Sequence, residues 1–205
     1  MPGKLASSPN HHHRSFRWGG WGRSRFIWPL LGALMCLATL VVSSAWGDDG
    51  AEIKRAQGLL AGGQCRAAWD IAWPLAKDGS QEARFFLYQS INGRMLPPGA
   101  GDRASFFRHV LALAAYAALK PLKMASIGSR NQHFARVDVP ASIMGLNLGS
   151  AGERVAQCYR TAQSFKGCLD LGVSLRVIPS FAEYAAETER QLEETGVGAR
   201  CLPPN

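Results

Sequence analysis

Metal-binding and nucleotide-binding patterns are missing from this chain of 205 residues. It has no Cys-x-x-Cys pair, and only His109 and His133 follow residue 50, so the sequence does not indicate a zinc site. The glycines at 99–101 and 145–149 lack the Gly-Lys-Ser/Thr of a phosphate-binding loop and are interpreted as turns. A Gly-x-Ser-x-Gly nucleophile elbow is absent as well. We therefore expect no catalytic residue, no cofactor and no metal.

Acidic residues are absent from the first 47 residues, and this absence explains most of the net charge of +8. Residues 1–47 hold five basic side chains, whereas residues 48–205 hold 18 basic and 15 acidic ones. No run of Lys and Arg of the kind that a nucleic-acid footprint needs appears after residue 50. The basic character therefore belongs mainly to a leader, and we expect no nucleic-acid partner.

The leader has the layout of a secretory signal. A basic stretch precedes the uncharged apolar residues 27–42, and small residues follow them. Ser43 and Ala45 suit the −3 and −1 positions of a cleavage site, because the peptidase accepts only small side chains there. Cleavage after Gly47, with Ala45 at −3, is the alternative. The sequence favours a cleaved signal peptide.

An uncleaved membrane anchor remains open, because 16 apolar residues lie between a typical signal core and a spanning helix. The Lys and Arg excess before residues 27–42 keeps the N-terminus cytoplasmic in either case. We expect residues 50–205 to be periplasmic or secreted, with membrane contact only through residues 27–42 if the leader is retained.

Four cysteines follow the leader: Cys65, Cys158, Cys168 and Cys201. An even count in an exported chain indicates two disulfides, for which three connectivities exist. The neighbouring Cys158 and Cys168 are the simplest pair, which would leave Cys65 to meet Cys201.

Residues 48–120 carry apolar residues at three- and four-residue spacing, which predicts four helices. Gly62-Gly63, Gly79 and the Pro- and Gly-rich residues 95–101 separate them, and Pro74 could kink or end the second. Ser80 and Asp102 are expected to cap the third and fourth helices.

Residues 121–149 mix Gly, Ser, Asn and Pro with short apolar pieces and are interpreted as an irregular connector. In the C-terminal region, residues 150–205, capping boxes at Ser150–Glu153 and Ser180–Glu183 predict two helices. Alternating apolar residues at 169–178 predict a strand. The glutamates of the last helix are expected on its solvated side rather than as a catalytic pair.

The helical half resembles the Sel1-like branch of the tetratricopeptide superfamily. The matching segments are AAW at 67–69, PLAKDG at 74–79, EARFFL at 82–87, GAGD at 99–102 and LAA at 113–115. They cover about one and a half repeats, over residues 55–118. The expected fold is mainly α, with antiparallel helical hairpins and an irregular, disulfide-stabilised C-terminal helical cap. An unrelated antiparallel helical bundle is the alternative.

The resemblance implies protein–protein binding through helix faces. We expect a non-enzymatic scaffold or regulator of the bacterial envelope. A stable array normally needs three or more repeats, and this chain has fewer. We therefore expect the C-terminal half to pack on the hairpins as a cap, helped by disulfides, and the alternative is that a partner completes the surface. Trp69, Trp73 and Phe85 are candidates for the partner surface, although large aromatics often fill grooves between hairpins instead. A periplasmic enzyme acting on cell-wall material and a single-pass anchored structural protein are the alternative functions.

Overall fold

The computed structural model describes residues 49–120 and 133–203, all of which belong to one compact unit, Trp46–Asn205. The described part is mainly helical. Its helices are α1 (Asp49–Ala61), α2 (Cys65–Lys77), α3 (Gln81–Gly93), α4 (Arg103–Ala117), α5 (His133–Leu146), α6 (Gly149–Thr161), α7 (Lys166–Ser174) and α8 (Phe181–Thr195). Two short strands, β1 (Met95–Leu96) and β2 (Arg200–Cys201), pair antiparallel.

Side-chain caps begin three of the helices where the sequence predicted them. The Ser80 hydroxyl accepts a hydrogen bond from the Ala83 N–H, and the Asp102 carboxylate accepts one from the Ser105 N–H at 2.9 Å. Ser180 and Glu183 form the expected reciprocal capping box of α8. Such caps satisfy backbone donors that have no partner inside the helix, and they fix where each helix starts.

The sequence left open whether Pro74 ends the second helix, and it predicted a capping box at Ser150–Glu153. α2 continues through Pro74 to Lys77 without an early end. The predicted capping box at Ser150–Glu153 is wrong, because α6 begins at Gly149 after Leu148 and has no side-chain cap bond.

The expectation of an irregular connector over residues 121–149 is wrong for its described part, which contains α5. Ala135, Val139, Ser142 and Ile143 are buried at helical spacing, so this face packs into the core against α4 and α6. Pro140 lies inside the helix without ending it. Residues 121–132 lie outside the described part of the chain.

The predicted strand at 169–178 is also wrong, since α7 extends to Ser174. Cys168, Leu169 and Gly172 are its buried residues, and they follow helical rather than alternating spacing. Ile178 packs over Gly172 so closely that a Cβ there would lie 2.7 Å from the Ile178 Cδ1 atom. Burial of these residues on one helical face thus overrides the local alternation of apolar residues.

An aromatic cluster joins α8 to α2. Trp73 stacks on Trp69 with ring centroids 5.0 Å apart, and its edge meets Tyr184 of α8 at 5.7 Å. Trp69, Trp73 and Phe85 are only 2%, 7% and 6% exposed. The prediction that these three side chains form the partner surface is therefore wrong, and the alternative of aromatics filling the space between helices is correct.

Two disulfides hold the C-terminal region. Cys65 of α2 is bonded to Cys201 of β2, with Cα atoms 5.3 Å apart, and Cys158 of α6 is bonded to Cys168 of α7. The backbone N–H of Leu202 also donates to the Arg94 carbonyl at 2.8 Å, beside β1. The end of the described chain is thus tied to α2 and to the residue that follows α3.

The structure describes no helix with the length and apolar character needed to span a bilayer in residues 49–120 and 133–203. The predicted apolar segment 27–42 and the cleavage residues Ser43, Ala45 and Gly47 lie outside the described residues.

Removing the long disulfide should cost more stability than removing the short one. The bonds span 136 and 10 residues, and chain entropy assigns them about 5 and about 3 kcal/mol. We expect the Cys65→Ser/Cys201→Ser variant to unfold at lower denaturant than the Cys158→Ser/Cys168→Ser variant, measured by circular dichroism. An equal or reversed order would mean that neither loop length nor the tie to α2 sets the stability.

Candidate functional site

A groove of about 780 Å³ lies where α4 meets the junction of α5 and α6 and the turn between α7 and α8. Buried side chains form its floor: Leu111, Val177, Ile178 and Tyr184. Half-buried Leu146, Leu148 and Val173 extend the apolar surface along the walls. The exposed side chains that line it are charged: Arg108, Arg176, Glu183 and Glu187. The groove therefore has an apolar floor and a charged rim, and protein interfaces have the same arrangement of an apolar centre inside a polar rim.

The turn between α7 and α8 builds one end of this groove. After α7, the N–H of Val177 donates to the Gly172 carbonyl at 2.9 Å and that of Arg176 to the Val173 carbonyl at 3.0 Å. These are the two bonds of a Schellman helix end, in which the residue at the position of Arg176 is usually glycine. Arg176 adopts the left-handed conformation, with φ of 55°.

The two rim glutamates are committed to bonds within α8 and its cap. Glu183 accepts from the N–H and the hydroxyl of Ser180, which lowers the pKa of its carboxyl, aided by the charge of Arg176. Glu187 accepts from Arg190 and Gln191, and the bond to Arg190 is the main cause of its lowered pKa.

The two rim arginines differ from the glutamates. Within the part of the chain that the structure describes, neither Arg108 nor Arg176 forms an ion pair or donates a side-chain hydrogen bond. Their charges act on Glu187 and Glu183 only through space. The charged groups of the rim that are still free to form hydrogen bonds are therefore the two guanidinium groups.

Behind the groove floor lies a buried polar contact. The Nδ1 atom of His109, on α4, is 2.8 Å from the Tyr184 hydroxyl, and both side chains are almost fully buried. Burial lowers the pKa of His109 to about 4, against smaller upward effects of a hydrogen bond with the Pro98 backbone and of the charge of Glu187. His109 is therefore neutral at physiological pH and holds the ring of Tyr184 in place.

The acid and base candidates for an enzyme do not converge on this groove. None of Glu82, Asp102 and His109 lines it, and Asp102 is fully exposed as the cap of α4. No group of three or more His, Cys, Asp or Glu side chains is placed to hold a metal ion among residues 49–120 and 133–203.

Sequence reasoning missed the groove because its lining comes from distant segments. Arg108 and Leu111 lie on α4, whereas Val173, Arg176 and Tyr184 come from α7, the following turn and α8. The local signal that was available is the capping box at Ser180, which requires a turn immediately before it.

No protein-family model matches the sequence, and neither the curated proteins nor the solved structures contain a match. The kind of ligand that the groove can bind must therefore be inferred from the chemistry of its own side chains.

Buried His109 makes the stability of the fold fall at mildly acidic pH. Its pKa is about 4 when folded and about 6.5 when unfolded, so the unfolded chain binds the proton first. Stability should be constant above the unfolded pKa and decrease by about 2 kcal/mol between pH 7 and 5, as urea titrations would show. The His109→Gln variant, whose amide can still meet the Tyr184 hydroxyl, should lose this slope. If the slope persists in that variant, another group causes it.

Arg176 and Gly196 both adopt the left-handed backbone conformation, so substitutions to and from glycine at these positions should change stability in opposite directions. Arg176→Gly should raise the free energy of unfolding by about 0.5–1 kcal/mol, because glycine adopts this conformation without steric cost. At the end of α8, Gly196 has φ of 65° and open space around its Cβ position, so Gly196→Ala should lower stability by about 1 kcal/mol through the backbone alone. Guanidinium unfolding of both variants tests this, and a destabilised Arg176→Gly would show that the arginine side chain supports the fold.

Proposed function

We propose that this chain is an exported, non-enzymatic protein-binding module of the bacterial envelope, built on Sel1-like helices, and that it binds its partner in the groove beside α4 and α8. The observation that carries the proposal is the combination of a buried apolar floor with two arginines that have no ion-pair partner in the described part of the chain.

The shape of the groove favours a protein segment over a small molecule. Small-molecule pockets cover most of the ligand surface, whereas all four charged side chains of this groove are exposed. An apolar centre with a polar rim is also how protein interfaces are organised.

The cysteines support export. All four that follow residue 48 are bonded in pairs, which is typical of a protein that works in an oxidising compartment. Together with the leader pattern in residues 1–47, this favours the periplasm or the cell exterior over the cytoplasm.

The resemblance to Sel1-like repeats is compatible with binding in the groove beside α4 and α8, rather than at Trp69, Trp73 and Phe85. Helices α1 to α4 follow one another closely, as a Sel1-like segment would, and the C-terminal region then packs α8 against α2 and α4. The proposed binding surface lies where α8 packs beside α4. Here the C-terminal region completes a helix array that is too short by itself.

Photo-cross-linking in the native host tests both parts of the proposal. A photoreactive phenylalanine derivative replaces Val173, a half-buried groove residue, or Arg55, an exposed residue of α1 that does not line the groove. We expect a protein adduct at position 173 but not at position 55, in the envelope fraction, with cysteines that react with an alkylating agent only after reduction.

Each part of the proposal can fail separately in this experiment. Equal adducts at both positions, or none at position 173, would contradict the groove as the binding surface. Protein found in the cytoplasm with free thiols would contradict export, and an uncleaved leader would favour the anchored alternative.

A further inference from the structure

We infer that the groove recognises an acidic, apolar peptide segment, whose carboxylates pair with Arg108 and Arg176 while its apolar side chains cover the floor. This inference rests on the proposed function and specifies the chemistry of the partner. Its basis is a difference between the charged residues of the rim: the glutamates already accept hydrogen bonds within the fold, whereas the arginines donate none in its described part.

The committed charges are the glutamates. Glu183 is bonded to Ser180, and Glu187 to Arg190 and Gln191, so their carboxylate oxygens already have donors. A basic ligand would have to compete with these bonds. The arginines offer five N–H donors each and meet no acceptor in the described part of the chain.

Residues outside the described ranges supply almost no acid that could pair with these arginines. Of the 15 acidic residues in the sequence, only Asp48 lies outside the described ranges. Residues 121–132, which directly precede α5, contain Lys123 and Arg130 but no Asp or Glu. A carboxylate for Arg108 and Arg176 is therefore best supplied by a partner.

Arg176 gives this argument independent weight. Its backbone adopts a conformation in which glycine is usual and a larger residue is strained. In the described part of the fold, its guanidinium group forms no ion pair or hydrogen bond and acts on Glu183 only through space. A contact with a ligand would account for a residue that costs backbone energy and forms no bond within the described fold.

The arrangement favours a peptide over an anionic membrane surface. Glu183 and Glu187 line the same groove as the arginines, so a continuous layer of phosphate head groups would be repelled at two of the four charged positions. A peptide can place single carboxylates opposite the arginines and apolar side chains between them. Arginine suits this role, because its planar fork binds a carboxylate through two parallel hydrogen bonds.

Fluorescence anisotropy with three labelled peptides tests the inference, using the protein as recovered from its native host. The peptides alternate leucine with glutamate, glutamine or lysine. We expect the glutamate peptide to bind about tenfold more tightly than the glutamine peptide, and the lysine peptide to bind most weakly. Raising the salt concentration from about 50 to about 500 mM should weaken only the binding of the glutamate peptide.

Matched variants assign the effect to the two arginines. Arg108→Gln keeps a helix-forming residue at an exposed position, and Arg176→Gly suits the local backbone, so neither should disturb folding. The double variant should bind the glutamate and glutamine peptides equally. Arg154→Gln, at an exposed position of α6 outside the groove lining, should leave all three affinities unchanged.

The outcomes separate this inference from the proposed function. Equal binding of the glutamate and glutamine peptides by the unaltered protein would overturn the inference and leave the groove as an apolar docking surface. Arginine-dependent binding of anionic phospholipid vesicles, without peptide binding, would also overturn it. If no peptide binds and position 173 gives no cross-link, both the inference and the proposed function are wrong.

Discussion

The contact between α2 and α8 is the interaction on which the rest of the structure depends. Trp73 meets both Phe181 and Tyr184 of α8, and Phe181 in turn packs edge-on against Tyr116 of α4, with the Arg84 guanidinium 4.0 Å from its ring centroid. Aromatic contacts of this kind add to the burial of apolar area. Because the first turn of α8 makes all of them, this turn fixes the start of α8 on α2 and α4. Residues of this part of α8 form one side of the groove.

The two ends of α8, whose first half lines the groove, are held by different means. At the start of the helix, the capping box and the aromatic cluster fix Phe181 and Tyr184. Beyond its end, Gly198 lies so close to the Arg66 side chain that a Cβ would meet it at 2.8 Å, and the Cys65–Cys201 bond follows. A wall held at both ends loses little conformational entropy when a ligand binds. Such preorganisation favours affinity in a groove of modest size.

The sequence correctly predicted the starts of helices that are capped by a side chain within a few residues. It failed where packing against other residues determines the secondary structure or the burial. The side chains of Ser80, Asp102 and Ser180 satisfy backbone groups within a few residues, so their helices began where the sequence placed them. In α7, by contrast, alternating apolar residues suggested a strand, and the contact of Gly172 with Ile178 shows the packing that decided otherwise. Trp69 and Trp73 remained candidates for a partner surface because α8, whose Phe181 and Tyr184 contact Trp73, lies about 110 residues further along the chain. The groove was unpredictable for the same reason.

The histidine behind the groove and the two glutamates on its rim all have pKa values lowered from their ordinary ones. His109 is the titratable group whose pKa would otherwise suit acid–base catalysis near neutral pH, but it is buried behind Tyr184 and has its pKa lowered to about 4. The bonds of Glu183 and Glu187 lower the pKa of both carboxyl groups, which keeps them ionised and away from the range of a general acid. Glu183 and Glu187, together with the guanidinium groups of Arg108 and Arg176, place charges of both signs beside an apolar floor. In general, charges of this kind act on the orientation and specificity of binding more than on affinity.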